Sequence, residues 1–126
     1  MRVTFFCPSL DGRGGKCQEQ LKAQFTGTAW TYCGTISDLI LQLNRSREGE
    51  EIVLLFAETK ESLIALLAVR DVLLRHRIIL ILPDGDKETI LQGHKLMPRF
   101  LSYMDSDFKD IAAVLARMIE RARPTE

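Results

Sequence analysis

The sequence predicts a doubly wound α/β fold of the (βα)5 type, with a five-stranded parallel sheet in the strand order 2-1-3-4-5. Five apolar or β-branched runs alternate with segments of helical composition along the 126 residues. Two of these runs, 52–56 and 78–82, are apolar at every position, which is typical of central strands covered on both faces. The segments between the runs are long enough for right-handed crossovers, which make neighbouring strands parallel.

Residues that terminate extended structure help to bound the strands. The β-branched and aromatic run 3–6 is stopped by Pro8, and the second strand ends at Gly34. Pro83 follows the fully apolar fourth run in the same way. The expected strands are 3–6, 29–33, 52–56, 78–82 and 100–104.

Apolar spacing and capping residues predict the helices. Ser37 is the expected N-cap of the second helix, with Thr35 and Asp38 as the weaker capping alternative. In the last helix, apolar residues recur at i, i+3, i+4, i+7, i+8 and i+11 on one face. The expected helices cover 16–25, a segment that begins after Ser37 and fades over 44–49, 60–75, about ten residues up to Met97, and 111–122.

Composition limits the classes of function. The 17 Lys and Arg balance 17 Asp and Glu, which argues against a broad nucleic-acid or anionic-membrane surface. The length predicts one domain over residues 1–126. No apolar run approaches the roughly 20 residues of a membrane span, and five apolar residues before Pro8 are too few for a signal peptide. The 3 cysteines, without a CxxC pair, predict a cytoplasmic protein without zinc, and nothing implies a cofactor.

The residues at the strand ends connect this pattern with a known family. The element order and spacing resemble the flavodoxin-like receiver domain of bacterial response regulators, over essentially the whole chain. The resemblance implies acidic residues after strand 1, a phosphoacceptor Asp after strand 3, Ser or Thr after strand 4, and Lys, usually with Pro, after strand 5. The residues found at these places are Cys7-Pro8, Phe56-Ala57, Leu82-Pro83 and Tyr103-Met104.

None of those receiver residues is present, so Phe56 and Ala57 mark a degenerate phosphoacceptor position. Holding Mg²⁺ requires carboxylates, and one carboxylate must attack the phosphoryl group. We therefore expect a pseudo-receiver, which is a non-phosphorylatable signalling or scaffold protein that acts through protein–protein contacts. The resemblance also implies a switch aromatic near Phe100, so Phe100 and Tyr103 form a candidate switch or partner face.

The loop after the first strand supports alternatives that remain open. Cys7 and Arg13 have the Cys-x5-Arg spacing of small phosphatases and arsenate reductases, in which a thiolate attacks and the Arg binds the oxyanion. The same loop could instead bind a small anion or a nucleotide through backbone N–H groups and its cations. The residues of this candidate anion-binding loop are Gly12, Arg13, Gly14, Gly15 and Lys16.

The third predicted helix has more apolar surface than packing on a sheet requires. Leucines form one stripe along 60–75, while Ile64 and Val69 extend it around the helix. An apolar surface of this breadth is either deeply buried or covered by another chain. We expect a protein partner, whose identity the sequence does not give, and a homodimer is one form that the contact could take.

Overall fold

Five parallel strands form one sheet in the computed structural model, which describes residues 2–47 and 50–122. The strand order is β2-β1-β3-β4-β5, so the predicted fold class is confirmed. The strands are Arg2–Phe6 (β1), Ala29–Cys33 (β2), Glu51–Phe56 (β3), Arg77–Leu82 (β4) and Phe100–Tyr103 (β5). The helices are Arg13–Gln24 (α1), Ile36–Asn44 (α2), Lys60–Ala68 (α3), Arg70–Leu73 (α4), Lys87–His94 (α5) and Lys109–Ala122 (α6).

The helix predicted over 60–75 is divided into α3 and α4. Val69 separates them with φ −114° and ψ 22°, outside the helical region. Its backbone N–H donates to Leu66 O at 3.1 Å, which is the tighter i→i+3 pattern of a helix end. A β-branched residue has lower helix propensity, and this break lets both Val69 and Leu73 pack against the sheet.

The N-terminus of α2 is capped by Thr35, so the preference for Ser37 was wrong. The Thr35 hydroxyl accepts a hydrogen bond from the Asp38 backbone N–H at 3.1 Å. Ser37 lies inside the first helical turn. Thr59 caps α3 in the same way, accepting from the Ser62 N–H at 3.1 Å. The two Thr caps thus determine where α2 and α3 begin after the loops that follow β2 and β3.

The sheet separates two apolar cores. One core packs α1 and α6 against Phe5, Leu54 and Phe56. The other packs α2, α3, α4 and α5 against Leu55 and Leu80. All six residues of β3 and five of six in β4 are buried, which explains why 52–56 and 78–82 are apolar at every position.

None of the helices within residues 2–47 and 50–122 has the length and apolar character needed to cross a membrane. The carboxyl ends of β1 and β3 lie side by side, because Phe6 pairs with both Cys33 and Leu55. In open α/β sheets, the crevice outside these strand ends is where ligands bind. The loops that follow β1 and β3 therefore build the candidate site.

Candidate functional site

Cys7 and Glu58 meet at the point where β1 and β3 end. The Cys7 thiol donates to Glu58 Oε1 at 2.9 Å and also approaches Ser9 O at 3.0 Å. The Cys7 backbone is fixed too, since its N–H donates to Cys33 O at 3.1 Å and its carbonyl accepts from the Tyr32 hydroxyl at 2.7 Å. A thiol–carboxylate pair thus lies at the adjoining carboxyl ends of the two strands.

The surroundings keep the Cys7 thiol protonated. Burial raises its pKa to about 12, and the hydrogen bond to Glu58 and the charge of that carboxylate act in the same direction. The Cys7 side chain has no exposed surface. Because the thiolate is the nucleophile, a cysteine in this environment is poorly suited to attack phosphorus at neutral pH.

Arg13, the other half of the Cys-x5-Arg pattern, is directed elsewhere. Its Nε donates to Met104 O at 2.7 Å, and its Nη2 donates to Ser106 O. The guanidinium carbon lies 4.9 Å from the centre of the Phe108 ring, in a cation–π contact. The hydrogen-bond partners of the Arg13 side chain are distinct from those of the Cys7 thiol, which are Ser9 and Glu58. Arg13 joins the start of α1 to the loop before α6, with its Nε and Nη2 donating there.

The glycines of the candidate anion-binding loop have a packing role. A Cβ on Gly14 would lie 2.2 Å from Cys7 Sγ, and one on Gly15 would lie 1.9 Å from Leu10 O. Gly12, in contrast, has open space where a side chain would begin. α1 starts at Arg13, three residues earlier than predicted, so Gly14 and Gly15 are helical and let the loop from β1 lie against the helix. Anion binding by Gly12, Arg13, Gly14, Gly15 and Lys16 stays a prediction.

The degenerate phosphoacceptor positions lie in the cores. Phe56 is fully buried, with its ring centre 6.4 Å from Phe5 and 6.2 Å from Phe108. Ala57 is fully buried in the other core, and its N–H donates to Ile81 O at 2.9 Å. The carboxylate nearest to them in sequence is Glu58, which accepts the hydrogen bond from the Cys7 thiol.

Other acids near the strand ends have local roles. Lys60 Nζ lies 3.1 Å from Asp86 Oδ2 and 4.0 Å from Asp84 Oδ2, in an exposed group of charges. Asp107 accepts from the Lys109 N–H at 3.0 Å where α6 begins. Across the described part of the chain, no three His, Cys, Asp or Glu side chains converge in a way that could hold a metal ion.

Phe100 and Tyr103 do not form one face. Phe100 packs against the core beneath α1 and α6, whereas Tyr103 packs against the core on the other side of the sheet. Residues three apart on a strand point to opposite faces. The two aromatics therefore cannot act together as a single partner surface, although either could act alone.

All three cysteines are buried and none forms a disulfide. Cys7 and Cys17 belong to the core under α1 and α6, and Cys33 belongs to the opposite core. The prediction that Cys7 and Cys33 are small buried residues is confirmed. Although Cys7 and Cys33 end neighbouring strands, their side chains enter different cores.

Two polar residues of structural weight were missed by the sequence reasoning. Tyr32 holds the Cys7 carbonyl, and Glu51, at the other end of the sheet, is fully buried. Glu51 Oε1 accepts from the Thr4 hydroxyl at 3.1 Å and from Gln42 Nε2 at 2.9 Å. A single acid at the start of an apolar run gave no sign of this network, because its donors come from separate elements.

Comparison with known proteins identifies a similar fold. No protein-family model matches the sequence, and no curated protein does either. The structure is similar to a CheY-like response regulator receiver domain protein from Methanospirillum hungatei JF-1, with a TM-score of 0.58 and 12% sequence identity. The match covers 94% of this chain and 97% of that chain. At this identity the likeness shows a receiver-like fold.

Proposed function

We propose that the chain is a receiver-like signalling or scaffold protein that is not phosphorylated and that acts through contacts with other proteins. The observation that carries the proposal is the hydrogen bond between Cys7 and Glu58, which lies at the strand ends where the resemblance to receivers implies Mg²⁺ and phosphate. With three buried thiols and no disulfide among the described residues, we place this activity in the cytoplasm.

The donor set of the crevice supports the absence of phosphotransfer. Mg²⁺ prefers several oxygen ligands in octahedral geometry, usually including one or two carboxylates. Here a protonated thiol and one carboxylate face each other at 2.9 Å, and the positions before Glu58 are the buried Phe56 and Ala57. The thiol already occupies Glu58 Oε1, and this single carboxylate is short of the ligand set that Mg²⁺ prefers.

The same features weigh against the Cys-x5-Arg enzyme. A phosphatase of that type needs a thiolate and a guanidinium directed at the same phosphate. The raised pKa of Cys7 and the hydrogen bonds of Arg13 to Met104 and Ser106 weigh against both conditions. We expect no hydrolysis of a chromogenic aryl phosphate, measured by absorbance, with Cys7→Ser as the matched variant. If the wild type hydrolysed the substrate and Cys7→Ser did not, the hypothesis of a Cys-x5-Arg enzyme would be supported instead.

Exposed apolar side chains support a role in contacts. They concentrate on the helices of one face and on the segments that directly follow them, while α1 and α6 present none of the large exposed apolar residues in the described chain. Ile64 on α3 is 63% exposed and Leu91 on α5 is 66% exposed. The full set on this face is Leu41, Ile64, Leu74, Leu91 and Met97.

The groove between α3 and α5 is the site at which we propose that a second copy of this chain binds. The groove has a volume of about 410 Å³, with Ile64 and Leu67 in its wall. Lys60 lies on the α3 side and Glu88 on the α5 side. In a two-fold contact each patch meets itself, so Lys60 of one copy, which also lies 3.1 Å from Asp86 of its own chain, would face the Glu88 side of the other. We propose a homodimer through this groove as the form of contact.

Phosphorylation is tested by incubating the protein with acetyl phosphate and Mg²⁺ and measuring its intact mass. We expect no added phosphoryl group, while an active receiver treated in parallel gains one. A stoichiometric gain by this chain would overturn the proposal. If the gain disappeared in Glu58→Gln, the acceptor would be Glu58 itself.

The dimer is tested by light scattering over a range of protein concentrations. We expect the mass to rise with concentration for the wild type and for Leu10→Lys, which changes an exposed apolar residue outside the groove. The rise should be lost in Ile64→Lys, because the contact would bury the new charge. A wild type that stays monomeric at high concentration would exclude the homodimer.

A further inference from the structure

A pocket rich in arginine lies at the opposite edge of the sheet from the Cys7 crevice. Its volume is about 510 Å³, within the range of small-molecule sites. Two of its arginines come from the amino-terminal ends of strands, with Arg77 opening β4 and Arg99 just before β5. The other two, Arg117 and Arg121, come from α6.

The fold explains why these residues converge. β4 and β5 are paired, and the Arg99 backbone N–H donates to Ile78 O at 2.7 Å, so Arg77 and Arg99 start neighbouring strands. On α6 the four lining residues are spaced i, i+3, i+4 and i+7, which puts them on one helix face. They are Val114, Arg117, Met118 and Arg121.

The electrostatics of the pocket favour an anion. Four guanidinium groups line it, and among the described residues no carboxylate does. Burial lowers the pKa of Arg77, and the positive charge of Arg99 lowers it further. The chain as a whole has 17 Lys and Arg and 17 Asp and Glu, so this cluster of positive charge is a local feature of the surface. An anion within the pocket would lie close to several guanidinium groups and interact favourably with their positive charge.

The floor of the pocket is apolar. Phe100 and Val114 are half-buried, and Met118 is buried, so their side chains face the arginines from the core. An aromatic ring and a polarizable thioether are suited to a flat apolar group. Planar guanidinium groups match phosphate oxygens in pairs. The pocket thus combines two kinds of recognition in one space.

We propose that this pocket binds a phosphorylated small molecule with an aromatic or apolar body, of the nucleoside diphosphate class. The arginines contact the phosphate oxygens, and Phe100 and Met118 contact the flat body. The site lies away from Cys7 and from the glycine-rich loop, so it stands or fails independently of the function proposed above.

Isothermal titration calorimetry with ADP, pyrophosphate and adenosine tests the site. We expect saturable binding of ADP, weaker binding of pyrophosphate and none of adenosine. Arg117→Gln/Arg121→Gln should weaken ADP binding by at least about 10-fold, since each lost charge-assisted hydrogen bond is worth a factor of this order. Arg45→Gln/Arg75→Gln is the matched control, because it removes the same charge from exposed arginines outside the pocket.

Several results would overturn the proposal. ADP could fail to bind at about 1 mM, or the control variant could weaken binding as much as the pocket variant, which would indicate a general charge effect. If pyrophosphate bound as tightly as ADP, Phe100 and Met118 would contribute nothing to recognition. If adenosine bound as tightly as ADP, the arginines would contribute nothing. Tighter binding of a DNA duplex than of ADP, lost in the pocket variant, would assign the surface to nucleic acid instead.

Discussion

The Cys7 thiol donates to Glu58 Oε1 across 2.9 Å, directly at the carboxyl ends of β1 and β3. The hydrogen-bonded proton must stay on sulfur for this pair to persist. Deprotonation would place two negative charges in contact at a partly buried site. The free energy of unfolding should therefore depend on pH in the alkaline range, where the thiol can lose its proton.

Stability should fall as the pH rises above 9. The folded pKa of Cys7, about 12, lies above its ordinary value of 9.0, so the thiol contributes fully below pH 9 and loses its contribution as the pH approaches 12. Urea unfolding at intervals from about pH 8 to about pH 11 measures this slope. Cys7→Ser keeps a hydrogen-bond donor that does not titrate there and should flatten it, although Cys17 and Cys33 still contribute. Equal slopes in the two proteins would contradict the assignment to Cys7.

Gly14→Ala should destabilise the fold, and Cys7→Ala should rescue it. The new Cβ would lie 2.2 Å from Cys7 Sγ, so overpacking should cost about 1–3 kcal/mol in the free energy of unfolding. Removing the sulfur frees that space, which makes the double variant less unstable than the sum of the two single changes. Denaturant unfolding of all four proteins gives the coupling. Strict additivity would show that the sulfur is not what Gly14 accommodates.

Gly15→Ala should also destabilise, without a side-chain rescue. Its Cβ would lie 1.9 Å from the backbone oxygen of Leu10, so the loop itself must move. Helix propensity alone predicts the opposite sign, a gain of about 1 kcal/mol. Gly27→Ala, with no atom within 4 Å of the new Cβ, is the control and should change stability by less than about 0.5 kcal/mol. A stabilised Gly15→Ala variant would mean that the loop does not rest on α1.

Thr35→Ala should cost about 1 kcal/mol of stability, because it removes the hydroxyl that accepts the Asp38 N–H. Ser37→Ala should be close to neutral, because Ser37 is exposed within the first turn of α2. Thermal unfolding of the two variants beside the wild type distinguishes them. A lower melting temperature for Ser37→Ala than for Thr35→Ala would indicate that Ser37 is the N-cap.

The central strands could be predicted because β3 and β4 are covered on both faces. Burial on both faces gives each strand a continuous apolar run, which is visible in the sequence. Local rules failed where two candidates compete, as with Thr35 and Ser37, since both are good caps and the tertiary position of α2 decides between them. The break at Val69 was missed for a similar reason. A continuous helical composition does not show where packing interrupts the helix.

The candidate site, too, could be predicted in part. The pattern located the loop between Cys7 and Arg13, but it could not show that the two side chains bond in different directions. Glu58 was visible as the nearest carboxylate to the end of β3, whereas its contact with a thiol 51 residues away was not. Sequence spacing identifies which backbone positions share an edge. Which side chains meet there depends on packing that spans the chain.

The contacts of Arg13 with Met104 and Ser106 join positions 91 and 93 residues apart. Closing so long a span costs chain entropy that must be offset by contacts formed beforehand. We therefore expect this junction to assemble after the transition state for folding. We expect its loss to speed unfolding while leaving the folding rate nearly unchanged, so that an Arg13→Ala variant would have a shorter-lived native state.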